Sequence, residues 1–264
     1  MLYYPQLTSG SVCQYPVLRS TTTRTVANQL ASGDTIRMSD LAAEMARWQL
    51  HYAGLTDAEV SSINELLAAT EGRLNTFTFL DPIDNLLAWT EDWTNSVWTA
   101  DPLLEVSIGA ADPHEGTGAI QLTNAAQATQ QVSQTVAGPS WFQYCYSIYL
   151  RSDSPCTVQL LLSATSQQST SAAAVVSTWT RTTLAGSLSS QDDGVSVGLI
   201  IPPGVRMFAF GPQLEAQKAP GPYKTNTVQA GVYPATRFDV DSLSITAAAI
   251  DQSSCVVNLV THLI

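Results

Sequence analysis

The sequence predicts a mainly β protein: a β-rich platform domain with one α-helix, carrying an inserted antiparallel β-sandwich of jelly-roll-like form. Three observations lead there. Residues 84–224 hold many short runs of alternating apolar and polar residues separated by turn residues, the pattern of an antiparallel sandwich. Only residues 56–72 combine helical spacing with a capping signature. Residues 236–262 have strand patterning but too little apolar surface for a core of their own, so they need a partner elsewhere in the chain.

The first part, residues 1–83, opens the platform. Arg47-Trp48-Gln49-Leu50-His51-Tyr52 alternates as a half-buried strand does. Thr56 with Glu59 forms a capping box, and Val60, Ile63, Leu66 and Leu67 share one helical face. Gly72 suits the stop. Leu74–Leu80 alternates again and ends at Asp81-Pro82. In the sandwich segment the predicted strands are 119–122, 130–136, 141–151, 157–164, 173–176, 179–185, 195–201 and 205–211. The run Trp141–Arg151 is the sharpest, with Phe142, Tyr144, Tyr146, Ile148 and Leu150 on one face and Gln143, Cys145, Ser147, Tyr149 and Arg151 on the other. Residues 218–235, rich in Pro and Gly, read as a linker. Strands at Phe238–Ile245 and Cys255–Val260 follow. Pairing of the 236–262 region with a strand from residues 1–80 would make residues 1–83 and 225–264 one platform domain and residues 84–224 its insertion.

Composition narrows the function classes. The chain has 264 residues, 45% of them hydrophobic and only 12% charged, which allows a sizeable core and suits a surface lying against other subunits. A net charge of −11 argues against nucleic acid and against anionic lipid. No apolar run is long enough to span a membrane, and the start Met1-Leu2-Tyr3-Tyr4-Pro5 lacks the basic and apolar parts of a secretion signal, so synthesis in a cytoplasm is expected. Cys13, Cys145, Cys156 and Cys255 have no metal-ligand spacing and read as buried thiols.

Catalytic signatures are sparse. His51, His114 and His262 stand at no zinc spacing, and no phosphate-binding glycine loop or serine nucleophile elbow is present. Asp81, Asp84, Glu91, Asp92, Asp112, Glu115, Asp192 and Asp193 read as turn and loop carboxylates rather than as a glycosidase pair. Asp239-Val240-Asp241 reads as two outward side chains of a strand, with calcium ligation as the alternative. The expectation is therefore no enzyme, no cofactor, no metal and no catalytic residue. Trp98, Trp141 and Trp179 read as core residues, whereas Trp89 and Trp93, four residues apart, are the aromatics open to a glycan or an interface.

Two stretches carry a resemblance. Asn85-Leu86-Leu87-Ala88-Trp89-Thr90-Glu91-Asp92-Trp93 followed by Trp98, then Trp179-Thr180-Arg181, then Phe210-Gly211-Pro212-Gln213-Leu214-Glu215-Ala216 resemble, in that order and spacing, the carbohydrate-binding-like sandwich of many phage tail proteins. Gln217 replaces the usual glycine of the closing signature, and Gly221-Pro222-Tyr223 approximates its exit. Trp48-x-Leu50-x-Tyr52, Leu55-Thr56-x-x-Glu59, Gly72-Arg73 and Phe77-x-Phe79-x-Asp81-Pro82 resemble the platform of distal tail (baseplate) proteins and neighbouring minor tail proteins of long-tailed phages and gene-transfer agents. The resemblance implies a virion structural protein at the tail tip, made in the bacterial host cytoplasm. It implies a self-assembled ring, a hexamer first and a trimer second, joining the tail tube protein to tail hub or fibre proteins, with a peripheral sandwich for host surface glycan or fibres. A free glycan-binding adhesion module and a glycan depolymerase are the alternatives.

Overall fold

The computed structural model describes residues 1–263. The chain is mainly β, with antiparallel sheets and one helix. In order the elements are β1 (Val17–Gln29), β2 (Thr35–Leu55), α1 (Asp57–Ala69), β3 (Phe77–Leu80), β4 (Trp98–Ala100), β5 (Leu104–Ala110), β6 (Ala119–Asn124), β7 (Gln130–Val136), β8 (Tyr144–Arg151), β9 (Cys156–Ser163), β10 (Gln168–Val175), β11 (Thr180–Gly186), β12 (Val195–Ile201), β13 (Arg206–Glu215), β14 (Val232–Phe238), β15 (Ile245–Ala249) and β16 (Gln252–His262). They form two compact units. One comprises Met1–Thr8, Cys13–Phe79 and Tyr233–Ile264, and the other Ser9–Val12 and Leu80–Val232.

The first unit is built on a sheet of order β1-β2-β16-β14-β3, with β15 folded back on β16. β16 lies antiparallel to β2, with Val257 opposite Leu50 and Leu259 opposite Trp48. All four of those side chains are buried, so the alternation of the two strands meets in one core. Rings fill that core: Trp48 stands edge-on to Phe79 at 5.1 Å and to Tyr233 at 4.8 Å, and Phe77 lies 5.1 Å from Phe238. Tyr4 and Tyr52 share a buried hydroxyl–hydroxyl hydrogen bond of 3.0 Å, and burial drives both phenols well above their ordinary range.

The helix starts where the capping box puts it. Thr56 Oγ1 accepts from Glu59 N–H, and the Glu59 carboxylate accepts from Thr56 N–H, so two of the otherwise orphaned donors are satisfied. Ile63 and Leu66 turn inward. The stop differs in detail from the expected glycine cap. Glu71 takes the first left-handed position (φ 53°) and Gly72 the second (φ 66°), giving the paired bonds Glu71 N–H to Ala68 O and Gly72 N–H to Leu67 O. Gly72 is required for a second reason: a Cβ there would meet the Asp241 carboxylate at 2.7 Å.

The second unit is a sandwich of two five-stranded sheets, β10-β9-β12-β7-β4 and β11-β8-β13-β6-β5. Tyr144, Tyr146, Ile148, Leu150, Met207 and Ala209 face inward from the second sheet. Val158, Leu160, Leu162, Val197, Leu199 and Val132 face inward from the first.

Several strand limits depart from the sequence pattern. Residues 141–143 precede β8, which begins only at Tyr144 because Pro139 starts a turn closed by Phe142 N–H to Pro139 O. The alternation from Leu74 is a strand only from Phe77; Leu74 itself is exposed and follows the helix cap. Phe238 is the last residue of β14, and residues 239–244 are a loop. The Asp239–Asp241 pair therefore sits in a loop, where Asp239 pairs with Arg47 (3.4 Å) and Asp241 with Arg73 (3.1 Å). β4 and β5 lie where no strand was expected. Both are edge strands, and edges need less apolar alternation than centres. Residues 222–227 are no free linker: Trp89 N–H and Thr90 N–H donate to Thr227 O and Asn226 O, each at 3.0 Å.

The sequence pattern implies further strands before Trp48 but does not locate β1 or the first half of β2, for a physical reason. β2 pairs with β16 only from Met45 onward. Beyond that point β1 and β2 continue as a two-stranded ribbon, with a register shift between Thr22 and Arg24 and then regular pairing to Gln29 opposite Thr35. Its side chains are exposed on both faces, Leu30, Ile36, Met38 and Leu41 among them, so no alternation marks it.

Candidate functional site

The outward face of the sheet β11-β8-β13-β6-β5 gathers aromatic rings and guanidinium groups in rows across the strands. β8 turns Tyr144, Tyr146, Ile148 and Leu150 inward, so period-two alternation sends Tyr149 and Arg151 outward. On β13 the register puts Phe208 and Phe210 on the same face, although both rings are buried there. The register then sets them side by side: Phe208 opposite Arg151, Phe210 opposite Tyr149, and Arg181 of β11 opposite Tyr149.

In the first row Trp179, Arg151, Phe208 and Arg206 alternate ring and cation. The Arg151 guanidinium lies 4.6 Å from the Phe208 ring centre and 5.8 Å from that of Trp179, and Arg206 lies 6.0 Å from Phe208. Stacking between rings leaves the in-plane N–H groups of a guanidinium free to donate sideways. Arg151 uses one of them on Asp153 at 3.4 Å, while its Nε–H is buried without a hydrogen-bond partner. Arg206 donates to Gln121 Oε1 at 2.9 Å and is otherwise exposed. Beside Arg206 opens a cleft of about 300 Å³ lined by Ser152, Asp153, Ser154, Pro155 and Gly204.

The second row is more enclosed. Arg181 lies over Tyr149 at 5.5 Å, and it donates through Nη1 to Gly221 O (2.7 Å) and through Nη2 to Ser147 Oγ (2.9 Å). It therefore anchors the closing segment. Phe210 meets Tyr223 at 5.1 Å and His114 at 5.5 Å, both edge-on. Gly211 (φ 60°) lets the Tyr223 ring approach, since a Cβ there would sit 3.1 Å from it. Below this row the face is closed by residues 217–224. The Gly221 N–H donates to the buried Glu215 carboxylate at 2.8 Å, and Gln213 Nε2 donates to Pro222 O at 3.1 Å. That cover explains why Cys145 and Ser147, which share the face of Tyr149 and Arg151, are nonetheless fully buried, and why the Cys145 thiol is pushed up to about 11, by burial first and by Glu215 next.

No family model matches this sequence, and no curated protein matches it. Among solved structures, the chain is similar to the CBM22-1 xylan-binding domain from Paenibacillus barcinonensis (18% identity, 53% of this chain and 99% of that one, TM-score 0.42). It is similar to the CBM22-1–CBM22-2 tandem domain from the same organism (16% identity, 66% and 61%, TM-score 0.44). It is also similar to the enzymatically active domain of bacteriophage CBA120 tailspike protein 4 (11% identity, 52% of this chain but 22% of that one, TM-score 0.42).

The tryptophans are placed differently from the sequence reading. Trp93 is buried, stacked on Trp98 at 4.4 Å with its Nε1–H donating to Thr90 O, so its ring serves the core and presents no face to a ligand. Trp98 is buried as expected. Trp89 is half-buried, in the left-handed region (φ 48°), and its carbonyl accepts from Trp98 Nε1 at 3.0 Å. Trp141, expected in the core, is 37% exposed because the turn before β8 holds it outside the sheet. Trp179, also expected inside, is half-buried at the end of the first row. The signal for the missed residues was present in the outward positions of β8 and β13, where Tyr149, Arg151, Phe208 and Phe210 stand two apart; only the register joins them.

Cys13, Cys145 and Cys255 are buried, Cys156 is half-buried, and no two of the four form a disulfide. Among the described residues no group of three His, Cys, Asp or Glu stands close enough to hold a metal ion, and no helix is long and apolar enough to cross a membrane.

Asp112 organises the loop that carries His114. Its carboxylate accepts N–H groups from His114 (2.7 Å), Gly116 (3.0 Å) and Gly118 (2.9 Å). Desolvation alone would raise its pKa, but the three donations, Gly118 first, outweigh it and hold the carboxyl below its usual range. A depressed folded value means that the loop's stabilisation is present above the unfolded carboxyl pKa and lost as pH falls through the folded one. Amide resonances of residues 114–118 should therefore keep their neutral-pH positions through the normal carboxylate range and shift only in stronger acid. Asp112→Asn should shift them at neutral pH, and an unchanged loop in that variant would refute the assignment.

Proposed function

We propose that this protein is a structural component of a phage-type virion tail tip, in which residues 1–83 and 225–264 form a self-assembling platform and residues 84–224 display a glycan-binding sandwich. The observation that carries the glycan part is the row of outward rings and guanidiniums on β11, β8 and β13. Half-exposed aromatic faces, here Trp179 and Tyr149 backed by the buried Phe208 and Phe210, stack on sugar rings, and charged N–H groups beside them fix orientation.

Self-assembly is supported by the ribbon of β1 and β2. A two-stranded ribbon is marginal in water, and an edge strand with exposed apolar residues invites pairing. The sequence resemblance to distal tail and minor tail proteins points the same way. The occupant of the ribbon is a second copy of this chain in a closed ring, six-fold first and three-fold second, and the tail tube and hub or fibre proteins are the neighbours along the tail axis. On this reading the protein is not an enzyme, binds no nucleic acid and inserts into no membrane.

Mass photometry and negative-stain imaging of the full chain at micromolar concentration should show rings, and deletion of residues 23–40 should abolish them while both units still melt cooperatively. A monomer with the ribbon intact would end the ring reading. Turnover of a bound polysaccharide would support the depolymerase alternative instead.

A further inference from the structure

The rings and cations of the first row are not equivalent to a neutral sugar platform. Two guanidiniums, Arg151 and Arg206, flank one ring, Phe208, and the structure sets a single acidic side chain against them, Asp153 on Arg151. Glu105 of β5 lies in the same cross-strand row as Arg206, two strands away beyond Thr123, and forms no ion pair with it. In a chain of net charge −11, two adjacent cations facing so little acid form a local reversal of sign. The Asp153 contact is itself informative. At 3.4 Å it is longer than a charge-assisted hydrogen bond of about 2.7–2.9 Å, and the Asp153 side chain is 69% exposed, so this carboxylate rests loosely against Arg151 and can swing into water. Arg151, 32% exposed with its guanidinium near both the Trp179 and Phe208 rings, is the more confined partner of the two. The cleft beside Arg206 has room for a sugar residue and is lined by hydroxyl-bearing Ser154; the buried Ser152 hydroxyl is bonded to Ser154 O and Arg206 O and shapes the cleft's floor.

We propose that the Trp179–Arg151–Phe208–Arg206 row, with the cleft beside it, binds the carboxylate-bearing residue of an acidic glycan. This rests on the glycan reading above and narrows it to a ligand class. The sugar ring stacks on Trp179, its carboxylate takes the in-plane N–H groups of Arg151 in place of Asp153, and Arg206 closes the other side. Arg181 is outside this role, because two of its nitrogens are committed to Gly221 and Ser147. Since the whole chain repels polyanions, the site suits an isolated acidic residue in a mostly neutral chain better than a densely charged polymer.

The test is titration calorimetry of the full chain with sialyllactose, a hyaluronan tetrasaccharide and a short oligogalacturonate, each beside its carboxyl-reduced form, with a sugar-phosphate oligomer as a further probe. At least one acidic probe should bind about tenfold tighter than its reduced form. Arg151→Gln should remove that preference while keeping residual binding of both forms, and exposed Arg206→Gln should weaken it without changing the melting temperature. Asp153→Asn should strengthen acidic binding, a gain that damage to the fold cannot produce. Trp179→Ala should weaken both forms. If reduced and acidic forms bind equally, or if the preference survives in Arg151→Gln and Arg206→Gln alike, the acidic assignment is wrong while the glycan reading stands. Tighter binding of the phosphate probe than of every carboxylate probe also overturns it. If no probe of either kind binds, both readings fall.

Discussion

A chain ending at Val232 should lose the fold of its first unit completely and keep a cooperatively melting sandwich. The reason is the position of β16 in its sheet. It lies between β2 and β14, so its removal strips the pairing partner from Met45–Leu55 and opens the core around Trp48. Leu259 and Val257 are almost wholly buried there, and α1 cannot replace them. Unpaired strand edges and an uncovered apolar face leave residues 1–79 without enough burial to offset chain entropy. The site of the cut decides the fate of the second unit. Ending at Tyr223 also removes Asn226 and Thr227, which accept the Thr90 and Trp89 N–H groups, and Asn226 Nδ2, which donates to Asn85 O at 2.6 Å. That shorter chain should melt with a sandwich less stable by about 2–4 kcal/mol. Hydrogen exchange read by peptide would show residues 44–55 exchanging freely in both truncations. Continued protection of that stretch would show that the C-terminal strands are dispensable, and the single-platform reading would fail.

Asn85→Ala should be the most damaging single substitution in the sandwich. Asn85 is wholly buried and uses both ends of its amide. Nδ2 donates to Pro212 O at 2.9 Å and Lys224 O at 3.1 Å, and Oδ1 accepts from Leu87 N–H at 3.1 Å and Leu214 N–H at 3.0 Å. One side chain thereby ties the start of the sandwich segment to β13 and to the closing segment. Truncation to Ala leaves four backbone groups short of a partner, at a cost of about 3–5 kcal/mol. For a unit of this size that lowers the melting temperature by about 10 °C. Scanning calorimetry of the full chain would measure it, with exposed Lys218→Ala as the control expected near zero. A loss below about 1 kcal/mol would mean that water or a rearranged loop replaces the amide.

The same residue shows what a linear reading can carry. In the sequence Asn85 is only the first letter of a resemblance, and nothing in its local pattern marks its three hydrogen bonds to segments more than a hundred positions away. The capping box at Thr56 and Glu59 was legible because its partners are three residues apart. The buried faces of β8, β12 and β16 were legible because burial on one face imprints a period of two. The ribbon of β1 and β2 left no such imprint, being exposed on both sides, and the strand expected at Phe238–Ile245 is a loop from residue 239 to 244 whose acids pair with Arg47 and Arg73.

By itself, then, the sequence determined the β class, the single capped helix, the run of short strands and the scarcity of catalytic groups, because each is written in local spacing and composition. Tertiary structure alone decided which tryptophans reach water. Trp93 and Trp179 stand in equally plausible contexts, yet one stacks inside on Trp98 while the other ends a row beside Arg151. It also decided that Arg151, Phe208 and Arg206 stand together. They come from β8 and β13, and only the antiparallel register of those strands brings side chains more than fifty residues apart within 4.6 Å and 6.0 Å of a shared ring.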